Sequence, residues 1–372
     1  MRRLKTLLGP RCILALALTA AVPEICPAAE YVVHISVDGL RADAITKQTA
    51  DQLPFFSLLR TEGAFTDNAR TDVDYTITLP NHTGMLTGRG VVGPAGHNYT
   101  DNDVPPPGQT LHTVKGSYVA SVFDVAHDNG LRTGLFASKE KFGLFDTSYD
   151  ADTAPLQGGS PDTTGADNGR DKIDTFEFNY DSPQLVSSWK TAMQANPFQY
   201  SFIHLHDPDS AGHSEGWNVS DTSSLYMQAV RDVDARLGEI MATIENTPEL
   251  AGHTTLILSA DHGGQEETTD HSDPADPQDY TIPFYVWGAD VTEGDLYAFN
   301  TATRANPARR RSPTPTRCSR SATPTAAISR QPAGARLDSR IDDQRAAEPQ
   351  RAGADVGRVV GRRGGAWPVS AW

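Results

Sequence analysis

Three aspartates stand where apolar, β-branched runs stop: Asp38 after HISV, Asp209 just after FIHLH, and Asp261 after LILSA. Histidines accompany two of them, and a further one follows. His213 comes after Asp209 across a small, flexible Ser-Ala-Gly, His262 directly follows Asp261, and His271 lies in TTDHSDP. Carboxylates gathered in one place repel each other unless a cation holds them. Imidazole together with carboxylate suits zinc or a similar divalent ion, and two such ions side by side are a recurrent device for phosphoryl chemistry. A hydroxyl is also available. Thr78, in TITLPNHTGML, sits where strand-like alternation gives way to a helix-like run behind a proline. Proline is tolerated in a first helical turn because the N–H it lacks would be unpaired there. Thr78 is therefore expected at a helix N-terminus, whose free N–H groups and partial positive charge suit an anion.

Each feature alone has a plainer explanation. A threonine before proline can simply cap a helix, Asp-Gly is a common turn, and Asp-x-x-x-His can be a solvated loop. Together those explanations need several independent coincidences at the ends of strands, and the ends of strands in an open parallel sheet are where ligands bind.

The elements that must carry these residues alternate. Residues 31–39, 131–138, 198–207, 254–264 and 282–290 read as strands, and 116–130, 184–195 and 221–245 as helices, the last opened by an Asp221 cap. Strand and helix in alternation predict an α/β fold of three layers: a mostly parallel central sheet with helices on both faces. Residues 93–110 and 150–172 are long loops rich in Gly, Pro, Asp and Thr, of the kind that is often functional.

A chain of 372 residues can bury the core of one large domain or two ordinary ones. Residues 1–29 have a basic start, an apolar run from Cys12 to Val22 and small residues before Glu30. That is a signal-peptide pattern; the run is too short to span a bilayer, and a secreted or periplasmic protein with no membrane span is expected. Two of the three cysteines fall in this segment and Cys318 in the tail, so a metal site in the body must use histidine and carboxylate. The net charge of −15 hides a split: residues 301–372 hold 14 Arg, no Lys and 5 acids, leaving 18 basic and 42 acidic residues before them. An acidic body argues against coating nucleic acid, so an anionic substrate must be held locally, by metal. The tail has no hydrophobic periodicity. It reads as a basic disordered segment or as sequence after a frame lost near Asn306, the second being favoured because a final strand or helix should follow there; a correct-frame translation with no better continuation would count against it.

The motifs SVDGLR, TLPNHTGMLTG, DPDSAGH and ADHGG and a later histidine follow the order seen in the alkaline phosphatase superfamily, and most resemble the type I phosphodiesterase/nucleotide pyrophosphatase family over residues 31–295. The resemblance implies an alkaline-phosphatase-like fold over a catalytic domain of residues 30–300. It also implies a phosphothreonine intermediate on Thr78, with Leu79 where the family has Phe. One divalent ion, zinc by resemblance, would be held by Asp38, Thr78, Asp261 and His262, and a second by Asp209, His213 and a last histidine. His271 is the only histidine after His262, whereas longer family members place that ligand far downstream. The family's oxyanion asparagine corresponds to Asn102, with Asn98 the lesser candidate; Asn81 and His82 are expected to support the turn. Sulfatases of the superfamily use Cys-x-Pro-x-Arg, which Thr-Leu-Pro-Asn does not match. The substrate implied is a small phosphodiester or nucleotide. The alternatives are a phosphomonoester or phosphonate hydrolase of the same superfamily, or an inactive metal-binding product of a damaged gene.

Overall fold

The computed structural model describes residues 29–149, 171–266 and 268–300. The expected signal segment, nearly all of the 150–172 loop and the 301–372 tail lie outside the described residues. In chain order the elements are β1 (Tyr31–Val37), α1 (Ala42–Thr46), α2 (Pro54–Glu62), β2 (Ala64–Arg70), α3 (Thr78–Thr87), α4 (Leu111–Lys115), α5 (Val122–Asp128) and β3 (Thr133–Ala137). They continue as α6 (Gly143–Tyr149), β4 (Thr175–Phe178), α7 (Ser182–Ala195), β5 (Tyr200–Leu205), α8 (Asp207–Glu215), α9 (Leu225–Asn246) and β6 (Thr254–Ser259), and close with α10 (Pro277–Tyr280), β7 (Thr281–Gly288), β8 (Gly294–Asp295) and α11 (Leu296–Phe299).

The strands form one sheet in the order β4-β3-β5-β1-β6-β7-β2-β8. Every pairing is parallel except the two made by β7, which runs antiparallel to β6 and β2. Side chains of a strand point alternately to opposite faces, and here they feed two cores. Val33, Ile35 and Val37 of β1 and Ile203 and Leu205 of β5 pack with α2, α7 and α9; Tyr200 and Phe202 of β5 and Leu135 and Ala137 of β3 pack with α3, α4, α5 and α6. The mostly parallel three-layer α/β sheet expected from the sequence is the one found.

Local differences have local causes. The helix expected over 116–130 is confined to α5, because Ser121 and Asp124 close a capping box that starts it late. Helix α9 is capped by Ser224, which accepts from the Met227 N–H at 3.1 Å. Asp221 instead turns onto Ser223, accepting from its N–H at 2.8 Å. Strand β2, AFTDNAR, was hidden by its polar centre and by a register shift between Thr66 and Ala69.

Helix α2 has no cap from its own N-cap residue, Leu53. Asp234 of α9 supplies it, accepting from the Phe56 N–H at 2.7 Å and the Phe55 N–H at 3.4 Å. Loss of such a cap costs about 1 kcal/mol, so Asp234→Ala should lower unfolding stability by about that amount in urea. Burial pushes the Asp234 carboxyl up to about 6. The folded state therefore binds its proton more tightly than the unfolded chain, a contribution present below the unfolded value and lost as pH rises through about 6. The wild type should gain stability on Asp234→Asn as pH falls from about 6 to 4; parallel pH curves for the two proteins would contradict this.

Candidate metal centre

Asp38 leaves the carboxyl end of β1 and is fully buried. The chain turns there on Gly39, whose φ is +69° and where a Cβ would come within 2.9 Å of the Asp209 Cα. That close approach brings the β1 end against α8. The Asp-Pro-Asp-Ser-Ala-Gly-His run, expected as a flexible connection, is the first two turns of α8, started by Pro208 in its first turn. Helical spacing puts Asp209 and His213 on one face, with His213 Nε2 at 3.3 Å from Asp209 Oδ1. Asp261 and His262 follow β6 and are both fully buried. His262 Nε2 lies 3.3 Å from Asp38 Oδ1, 3.3 Å from Asp261 Oδ2 and 3.8 Å from Asp209 Oδ1. His271 stacks on His262 with centroids 3.9 Å apart, and its Nε2 is 3.2 Å from that of His213.

Among the described residues, ligand-capable atoms thus gather in two groups, Asp38 with Asp209 and His262, and Asp209 with His213 and His271. Asp209 belongs to both, whereas the sequence reading gave it to one. Asp261 stands beside the first group and is fixed by the Gly39 and His262 N–H groups, both donating to its Oδ1.

The imidazoles are oriented by the backbone. Nδ1 of His262 donates to the Gly263 carbonyl at 2.8 Å, Nδ1 of His213 to that of Thr269 at 3.1 Å, and Nδ1 of His271 to that of Thr76 at 2.5 Å. A carbonyl can only accept, so each Nδ1 carries the proton and each Nε2 turns its lone pair into the cluster. Asp38 Oδ1, Asp209 Oδ1, Asp261 Oδ2 and His262 Nε2 are buried without a hydrogen-bond partner. Each such atom costs about 1–3 kcal/mol if left alone. Facing lone pairs and orphaned carboxylate oxygens fit divalent cations.

The charges agree. Burial alone would lower His262, but Asp261, Asp38 and Asp209 push it up to about 10, a demand for positive charge at Nε2. Burial and the Asp38 charge hold Asp261 well above the usual carboxylate range. Asp38 is held well below that range: burial opposes this, and Lys139, His204 and His262 outweigh burial. His213 is raised by Asp209, while burial pulls His271 down to about 3.

Thr78 is the first residue of α3 and is buried; the N-cap is Ile77, so Thr78 is not a capping residue. The segment before it is tied to His271 twice, since Thr76 also donates its hydroxyl to the His271 carbonyl at 2.6 Å. Asn102 Oδ1 accepts from the Leu79 N–H at 3.0 Å, which occupies one of the helix-start N–H groups expected to face an anion and leaves the Asn102 amide NH2 as a donor beside Thr78. Asn98 has a left-handed φ of 63° and sits in the turn at Val91. Asn81 braces the turn by donating to the Tyr75 carbonyl at 2.6 Å. His82 donates from Nδ1 to the Thr78 carbonyl at 2.8 Å and accepts at Nε2 from Ser36 at 2.8 Å.

Two participants escaped the sequence reading. Lys139 bridges Asp38 Oδ2 at 2.7 Å and Asp209 Oδ2 at 2.6 Å, leaving both Oδ1 atoms to the histidines. His204 of β5 holds Asp38 Oδ2 from the other side at 2.9 Å. The run SKEKF has no spacing that marks a site, but the second apolar-to-polar alternation of FIHLH could have shown that His204 shares a face with the β1 end.

Fold and cluster together define the class: a three-layer α/β protein with a candidate divalent-cation centre at the carboxyl ends of its parallel strands. A sequence model of the type I phosphodiesterase / nucleotide pyrophosphatase family matches residues 32–309, and the chain belongs to that family. It is 26% identical over 242 residues to human ectonucleotide pyrophosphatase/phosphodiesterase family member 1, covering 62% of this chain and 23% of that protein. It is 24% identical over 258 residues to mouse family member 3, covering 69% of this chain and 27% of that one. The chain therefore spans about a quarter of the length of these relatives. A solved structure of murine ectonucleotide pyrophosphatase/phosphodiesterase 5 in complex with AMP aligns with TM-score 0.46 and 20% identity over 63% of this chain and 57% of that one.

Because Asp209 Oδ1 faces both groups, Asp209→Ala should strip metal from both, whereas His271→Ala should remove about one ion per chain. Elemental analysis after gel filtration distinguishes these; equal losses would show that the two groups are not separate sites.

Proposed function

We propose that the domain of residues 30–300 is an exported hydrolase that cleaves phosphodiester or pyrophosphate bonds of small, nucleotide-like substrates through attack by Thr78. What supports this most is the set of three imidazoles, each with Nδ1 bonded to a carbonyl: Nε2 of His262 and His213 face carboxylate oxygens that have no other hydrogen-bond partner, and Nε2 of His271 faces that of His213. Family membership and the names of the relatives supply the reaction class.

In this reading Asp38, Asp261 and His262, with Thr78, would hold one cation and Asp209, His213 and His271 the other, Asp209 Oδ1 being common to both groups. Zinc suits a set of nitrogen and carboxylate ligands. Cations held by these residues would favour the alkoxide of the nucleophile and neutralise charge on the leaving oxygen. Thr78 Oγ forms a bond to phosphorus as the bond to the leaving oxygen breaks, and water then hydrolyses the phosphothreonine and restores the hydroxyl. Asn102, aligned by its bond to the Leu79 N–H, directs its amide donors at a nonbridging oxygen. His82 has both nitrogens engaged, Nδ1–H on the Thr78 carbonyl and the Nε2 lone pair on the Ser36 hydroxyl, so it fixes the start of α3 and takes no part as a base. Among the described residues no helix is long and apolar enough to cross a membrane.

A phosphomonoester or phosphonate substrate is the second reading, favoured by Lys139. A monoester dianion carries one more negative charge than a diester, and an ammonium already at the cluster, with Lys141 close by, could meet it. The two are separated by hydrolysis of bis-p-nitrophenyl phosphate and p-nitrophenyl phosphate with added zinc. Diester cleavage should dominate and fall on the order of a thousandfold or more in Thr78→Ala. Lys139→Ala should lower monoester turnover more than diester turnover, by about tenfold or more. Silence from a folded, zinc-loaded wild type would favour a protein that binds metal without turnover.

A further inference from the structure

Trp217 lies just beyond α8, fully buried, and none of the chemistry above uses it. Its indole meets the rings of both outer histidines in T-shaped contacts, with centroids 5.1 Å from His213 and 5.6 Å from His271. The slot that admits the indole is made by two glycines from different segments. A Cβ on Gly212 of α8 would come within 2.2 Å of the ring, and one on Gly264, after His262, within 2.1 Å. Polar contacts fix the residue along its length. Nε1 donates to the Gly39 carbonyl at 3.2 Å, beside Asp38, and the Trp217 carbonyl accepts from Arg41 Nη1 at 2.9 Å. The same Nη1 donates to the Gly264 carbonyl at 3.2 Å. One side chain therefore touches the segment after β1, the helix of Asp209 and His213, the loop after His262, and His271.

We propose that Trp217 is the positioning residue of the outer imidazole pair, setting the angle at which His213 and His271 offer their Nε2 atoms to the second cation. The inference rests on the reading of those two histidines as metal ligands. His213 is half exposed, and apart from the bond from Nδ1 to Thr269 its remaining contacts, Asp209 Oδ1 at 3.3 Å and the His271 ring, are members of the candidate site itself, so the indole is the neighbouring ring outside the ligand set that limits its rotation. A flat, rigid ring packed against both imidazoles restricts their rotation without competing for the lone pairs, the role that outer-shell groups play at metal sites. His262 stacks on His271 and is not among the indole's ring contacts described, so the side chains that the indole ring packs against directly are those of the outer pair.

The test is a cobalt(II) titration of the chelator-stripped full chain, followed by visible absorption and by calorimetry, for the wild type, Trp217→Phe, Trp217→Leu and Trp189→Phe. Trp189 is equally buried, in the core against α9 and away from the cluster, and controls for a general loss of packing. The expected result is an unchanged first equivalent in every protein. The second equivalent should bind about 10- to 100-fold more weakly in Trp217→Leu, with an altered ligand-field band, and Trp217→Phe should restore part of that loss because it keeps an aromatic edge. Trp189→Phe should lower the melting temperature and leave both equivalents intact. Overturning results are a second equivalent unchanged in both Trp217 variants, or one weakened as much by Trp189→Phe. If His213→Ala and His271→Ala leave the second equivalent as it is, the ligand reading fails, and the inference about Trp217 falls with it; a loss in those two alone removes only the role of Trp217.

Discussion

Three buried carboxylates share one end of this sheet, and the remainder of the molecule is arranged around their repulsion. Asp38, Asp209 and Asp261 are almost wholly buried, where like charges repel more strongly than in solvent. Lys139 brings one positive charge to the Oδ2 side of Asp38 and Asp209, and His204 secures Asp38 further. The Oδ1 side has only imidazoles. Burial costs His262 its proton and the carboxylates insist on it, so the balance is met by a positive charge shared among Nε2 and three oxygens. A divalent cation would supply that charge at the same place without protonating the imidazole.

The imidazoles that face this charge are anchored to parts of the chain far apart in sequence. His271 is clasped to Thr76 by two hydrogen bonds, and His82 joins the Thr78 carbonyl to Ser36 of β1. The segment of Thr78 is thus fixed to that of His271 and to β1 through main-chain groups whose geometry the fold sets. Beneath it, Ser36 and His204 are register partners on the sheet face that meets α3, and the rings of His82 and His204 approach within 5.0 Å. This polar patch interrupts an otherwise apolar interlayer. It is stable because its members pair with one another and burial keeps the histidines neutral, with His204 drawn down to about 4.

What the sequence disclosed follows from how each signal is encoded. Strands β1, β3, β5, β6 and β7 are continuous apolar runs because both of their faces are covered, and such runs are visible without a partner. The acids and histidines at their ends were visible for the same reason, as polar residues where apolar runs stop. Strand β2, with its polar centre, depends on pairing with β7 for its existence, and pairing leaves no local trace. Lys139 belongs to the same category: its position between Asp38 and Asp209 depends on β3 lying beside β5, and nothing in SKEKF announces that neighbour.

Helix α8 shows why that distinction bears on chemistry. Read as a loop, Asp-Pro-Asp-Ser-Ala-Gly-His offers a carboxylate and an imidazole at no fixed angle. Read as a helix, it presents them one turn apart on one face, and the small residues between them acquire a purpose. Gly212 is a poor helix former, yet it is the position at which the Trp217 ring meets the helix backbone. The local propensity that argued against a helix is therefore the consequence of a tertiary contact, and the cost of glycine within the helix is offset by the aromatic packing it admits. The flexibility suggested by Ser-Ala-Gly is absent where the geometry of His213 depends on rigidity.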